Sequence, residues 1–108
     1  MLCLVISSDL MFSQLVSNAL PEGAVTRSIG SQTTIERQFD ETVAAAIVDL
    51  AMAIDVDWLV AVAQKNGAKL IGVASHVHVG RIAAAKAAGF DQVLTRSQVA
   101  EKLRETLA

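Results

Sequence analysis

The feature that most restricts this chain is the run Ala44-Ala45-Ala46-Ile47-Val48-Asp49-Leu50, a short apolar stretch, β-branched at its centre, that closes on a carboxylate. It is too brief for a free-standing helix and too hydrophobic for a loop. It therefore predicts a strand buried on both faces, as in the middle of a parallel sheet. A charge inside such a strand is costly, so Asp49 belongs at its carboxyl end, where open α/β sheets keep their ligand crevice. With 108 residues the chain fits one domain, 1–108, and 53% hydrophobic against 19% charged residues is the composition of a packed globule.

Strand and helix patterns alternate five times around that run. Met1 to Ile6 reads as a first strand. Asp9 or Ser8 is expected to cap a helix with Met11, Phe12, Leu15, Val16, Ala19 and Leu20 at helical spacing, stopped by Pro21-Glu22-Gly23. Ala24 to Ser28 is a second, mixed-polarity strand, and Thr33 with Glu36 has the spacing of a capping box for a short helix through Phe39. After Asp49, a helix from Ile54 to Asn66 turns Val56, Leu59, Val60 and Ala63 to one side and ends at Gly67. Lys69 to Ala74 is a fourth strand, Val79 to Ala88 a helix closed by Gly89, Asp91 to Thr95 a fifth strand, and Ser97 is expected to cap a last helix. Short connections and right-handed crossovers call for a doubly wound parallel sheet. The order 2-1-3-4-5 suits the apolar first, third and fourth strands, and it brings Ser7, Ser8 and Asp9 beside Asp49, with Thr95-Arg96 on the same rim.

Several classes of function are disfavoured. The net charge of -2 comes with scattered basic residues and no basic stripe, so a direct nucleic-acid partner is not expected. No stretch approaches the roughly 20 apolar residues of a membrane span. Cys3 is the sole cysteine, which leaves no internal disulfide and suits a reducing cytoplasm, with Cys3 as a small buried hydrophobe. The signatures of a P-loop, a dinucleotide-binding turn and a nucleophile elbow are all missing, so no enzyme of those kinds is expected.

Asp49 at the end of the third strand, Ala87-Ala88-Gly89 before the fifth and Arg96 after it give the chain a resemblance, over its whole length, to the receiver domain of response regulators, the phosphoacceptor module of two-component signalling. The resemblance implies a flavodoxin-like (βα)5 fold, with Asp49 as phosphoacceptor, Mg²⁺ as cofactor when phosphorylation operates, and a histidine kinase as donor. It also implies association with a protein partner or a second copy through the fourth helix, fifth strand and fifth helix, rimmed by Arg81, Lys86, Glu101, Lys102 and Arg104. The chain departs from the family at the site itself. The paired metal-binding acids become Ser7-Ser8, followed by Asp9, and two hydroxyls do not supply the charge of two carboxylates. The family's phosphate-binding hydroxyl falls on Ala74, or on Ser75 if the register slips by one. The lysine becomes Arg96, a planar fork in place of a compact ammonium.

Three readings follow. The leading one is a receiver-like signalling domain of impaired Mg²⁺-dependent phosphorylation that acts by protein-protein interaction, with no resident cofactor and at most a weak metal site at Asp9 and Asp49. There, Asp49 caps the next turn or pairs with Arg96. The second is an active phosphoacceptor modified on Asp49. The third is a metal- or small-ligand module on the rim of Asp9, Asp49, His76 and His78.

Overall fold

The apolar run forms the central strand of a five-stranded parallel sheet of order 2-1-3-4-5. The computed structural model describes residues 1–107. In chain order the elements are β1 (Leu2–Ile6), α1 (Leu10–Ala19), β2 (Val25–Ile29), α2 (Gln32–Gln38), β3 (Val43–Asp49), α3 (Val56–Asn66), β4 (Lys69–Ala74), α4 (Val79–Ala88), β5 (Gln92–Thr95) and α5 (Val99–Leu107). Asp49 is the last residue of β3, at the expected end. Among the described residues no helix is long and apolar enough to cross a membrane.

Alternation along the strands divides the core in two. Leu4, Ile6, Ala46, Val48 and Leu70 face α2, α3 and α4 on one side, where they meet Ile35, Leu59, Ala63 and Phe90. Cys3, Val5, Ala45, Ile47 and Val73 face α1 and α5, where Phe12, Val16, Val99 and Leu103 close the second layer. Each such large side chain removed from water stabilises the fold by about 1.5–3 kcal/mol before entropy is counted. Cys3 is fully buried, and burial raises its thiol pKa above the usual value despite the opposing charge of the nearby amino terminus. On the first side β4 carries Gly72, where a Cβ would stand 2.9 Å from Leu50 Cδ1 and 3.1 Å from the Phe90 ring. Glycine there lets both side chains lie flat on the sheet.

Helix ends follow local chemistry, with three corrections. Gly67 and Gly89 take left-handed conformations and end α3 and α4 as expected. The cap of α2, however, is Ser31, whose hydroxyl accepts from the Thr34 N–H at 3.3 Å, so Thr33 lies inside the first turn and the expected Thr33–Glu36 box does not form. At the last helix Thr95, not Ser97, begins the turn. The Gln98 side chain reaches back to accept the Thr95 N–H at 3.0 Å, and a 3-10 turn over Arg96–Gln98 precedes α5. Finally, Met11, counted among the apolar residues at helical spacing, is 80% exposed and Leu10 beside it 86%, because the first turn of α1 carries them past the rim of the core while Phe12 and Val16 turn inward.

Two measurements check this packing. In urea unfolding, Gly72→Val is expected to cost about 1–3 kcal/mol, because Leu50 and Phe90 must shift. Ser31→Ala is expected to cost about 0.5–2 kcal/mol and Thr33→Ala less than about 0.5 kcal/mol, the reverse of what a Thr33 cap would produce.

Candidate functional site

The parallel register sets Ile6 against Val48, and the next residues, Ser7 and Asp49, fall side by side at the carboxyl edge. Both are almost fully buried, Ser7 at 5% and Asp49 at 4% exposed. Ser7 Oγ donates to Asp49 Oδ2 at 2.7 Å and accepts the Asp9 backbone N–H at 3.0 Å. The other carboxylate oxygen, Asp49 Oδ1, accepts the Ala51 N–H at 3.0 Å. Asp49 thus caps the turn that follows it, as one expectation had it, and is held on its second side by a hydroxyl. A buried carboxylate needs such donors, since desolvation without them is costly.

Asp9 is occupied differently. Its Oδ1 accepts the Met11 N–H at 2.9 Å as the cap of α1, and its Oδ2 lies 3.7 Å from Arg96 Nη2. The expected pairing of Arg96 with Asp49 is therefore corrected: the guanidinium goes to Asp9 and lies 5.5 Å from the centre of the Phe12 ring. Asp49 is tucked under the strand end, whereas Asp9 stands at the rim within reach of a side chain from the loop after β5. With both partners more than 40% exposed, this pair contributes little, about 0–1 kcal/mol, with a similar amount from the ring contact.

None of the remaining candidates makes a hydrogen bond to Asp49 among the described residues. Ala74 ends β4 opposite Thr95 and is buried, without a hydroxyl to offer, while Ser75 opens the next turn, half-buried, its carbonyl accepting the His78 N–H at 2.9 Å. Ser8 is exposed. His76 is exposed as well, whereas His78 begins α4 with its Nδ1 buried and unpartnered among the described residues. The proposed metal rim of Asp9, Asp49, His76 and His78 is corrected too. Among the described residues no three His, Cys, Asp or Glu side chains come close enough to hold an ion, because Asp9 and Asp49 are drawn to α1 and to Ser7. A hard octahedral cation such as Mg²⁺ is likewise poorly matched by a donor set of one buried, doubly bonded carboxylate and one capping carboxylate. The amide of Ala51 is a site group that residue types alone do not reveal, since any residue there supplies it.

The sequence matches no family model and no curated protein. Solved structures do resemble it. A response regulator from Thermotoga maritima superposes with a TM-score of 0.75 at 15% identity over 98% of this chain and 96% of that one. A response regulator from Burkholderia pseudomallei, described with a phosphorylated aspartic acid, a calcium ion and citrate, gives 0.73 at 17% identity over 94% of this chain. The fold is that of a response regulator receiver domain. NtrX from Brucella abortus shares it too, at a TM-score of 0.70 and 16% identity. The chain spans 63% of the Burkholderia protein and 24% of NtrX. On this receiver fold α4 and α5 both lie against the edge strand β5, and Lys86, Glu101 and Lys102 are exposed there. Arg81 is drawn away from that surface to the end of β3, where it donates to the Leu50 carbonyl at 2.8 Å.

Ser7→Ala leaves Asp49 Oδ2 buried without its donor and is expected to cost about 1–3 kcal/mol in urea unfolding. Arg96→Met is expected to stay within about 1 kcal/mol of the parent. A larger effect from Arg96→Met than from Ser7→Ala would reverse the order of importance assigned to the two contacts.

Proposed function

We propose that the protein is a cytoplasmic signalling domain of two-component type in which Mg²⁺-dependent phosphorylation is impaired, and that it works by binding a protein partner or a second copy through the surface of α4, β5 and α5, not by catalysis. One observation carries this reading: both oxygens of Asp49 already accept hydrogen bonds from the chain, Oδ2 from Ser7 and Oδ1 from Ala51. A carboxylate that attacks a phosphoryl group must offer a lone pair to phosphorus while cations neutralise the donor's charge. A donated proton draws electron density from the attacking oxygen, and the guanidinium that follows β5, Arg96, is engaged by Asp9. The receiver fold supports the signalling class, and the serines at positions 7 and 8 support the impairment.

One observation favours a second reading, an active phosphoacceptor served by a histidine kinase and Mg²⁺: Asp49 ends the central strand at the ligand-binding edge of the sheet. Incubation with acetyl phosphate and Mg²⁺ followed by intact-mass measurement separates the two. The impaired domain shows no gain of a phosphoryl group. A stoichiometric gain that disappears in Asp49→Ala would establish the phosphoacceptor in its place.

A further inference from the structure

Side chains alternate across β3, so Asp49 turns with Ser7 toward the α1 and α5 side while its neighbour Leu50 belongs to the core beneath α3 and α4. Beyond Leu50 the chain runs through Met52 and Ile54 before Asp55 caps α3. That segment does not fill the space between the end of β3 and α4. A hollow of about 220 Å³ remains, walled by Leu50, Met52, Ile54, Val56 and Ala84, and Arg81 is its one charged lining residue.

Arg81 is placed to receive an anion. Of its five N–H groups, one donates to the Leu50 carbonyl, and among the described residues the others have no partner. Among the described residues the one ion pair is that of Arg96 with Asp9, so none of their carboxylates neutralises Arg81. A planar guanidinium with free donors matches a carboxylate in a paired, two-bond geometry. The other lining side chains offer only hydrocarbon and a thioether, which favours an apolar tail and disfavours a small, multiply charged anion that would lose its water without replacement. The hollow is smaller than the roughly 300–1,000 Å³ of sites for drug-sized ligands, which limits the occupant to about ten non-hydrogen atoms.

We propose that this hollow binds a small amphipathic carboxylate, its hydrocarbon chain against Leu50, Met52, Ile54 and Val56 and its carboxylate on Arg81. The site is separate from the Asp49 pair and its occupancy does not depend on phosphorylation. The two nonetheless share a wall: Arg81 grips the Leu50 carbonyl, and the N–H at the other end of that same peptide unit, that of Ala51, holds Asp49. A carboxylate that draws Arg81 toward itself therefore acts on the loop that positions Asp49.

Octanoate is a suitable probe, with about ten non-hydrogen atoms, for which a Kd on the order of 1 mM is expected. Titrated into ¹⁵N-labelled protein, it should shift amide resonances of residues 50–56 and 81–84 in a saturable way. 1-Octanol, with the same chain and no charge, should bind at least about tenfold more weakly, and Arg81→Gln should weaken octanoate by about tenfold. Ala84→Phe, which keeps Arg81 and fills the hollow, should abolish the shifts while leaving the remaining spectrum folded. Shifts that do not saturate, that centre on the exposed Leu10 and Met11, that are equally strong with octanol, or that survive Ala84→Phe would each overturn the proposal.

Discussion

The pairing of β1 with β3 is the constraint on which the site depends. Ile6 lies against Val48, so the residues that follow are brought abreast as both strands leave the sheet. Because the strands are parallel and their side chains alternate with a period of two, Ser7 and Asp49 point to the same side. A slip of one residue would turn every buried side chain of β1 to the opposite layer, exchanging Leu4 and Ile6 with Cys3 and Val5, and each set is packed in its own cluster. The hydrophobic pattern that stabilises the sheet is thus also what places a hydroxyl 2.7 Å from the carboxylate.

Much of this was legible from local pattern. The apolar run ending on Asp49, the strand order and the glycine stops at Gly67 and Gly89 depend on residues close in sequence or on a sheet-wide average, and the structure bears them out. The caps were less legible because several hydroxyls compete within a few residues. Ser31 and Thr33 carry the same chemistry, and the choice between them rests on which residue stays extended before the first turn. Thr95 and Ser97 pose the same problem, settled by the reach of Gln98.

At the site, the sequence put Ser7, Asp9, Asp49 and Arg96 on one rim but paired Arg96 with Asp49, where the structure pairs it with Asp9. Arg96 had two carboxylates within one crevice, and the outcome follows from depth: Asp49 sinks under the strand end, and Asp9 stands at the surface where α1 begins. Arg81 was assigned to the rim of α4, β5 and α5 from the resemblance. Its bond to Leu50 joins residues 31 apart in the chain, and nothing in either local pattern announces it.

Cys3 lies at the opposite end of the structure's concerns. Its side chain is enclosed between the sheet and the layer of α1 and α5, with no exposed surface and a pKa pushed up by burial, so both access and the reactive thiolate form are withheld from electrophiles. The side chain stands off the face of the sheet under Phe12, Val16, Val99 and Leu103, so a reagent meets the sulfur only after α1 or α5 has lifted from that face. The single thiol is therefore a built-in gauge of how often the α1–α5 layer opens, its labelling rate set by fluctuations of the core and not by motion at its surface.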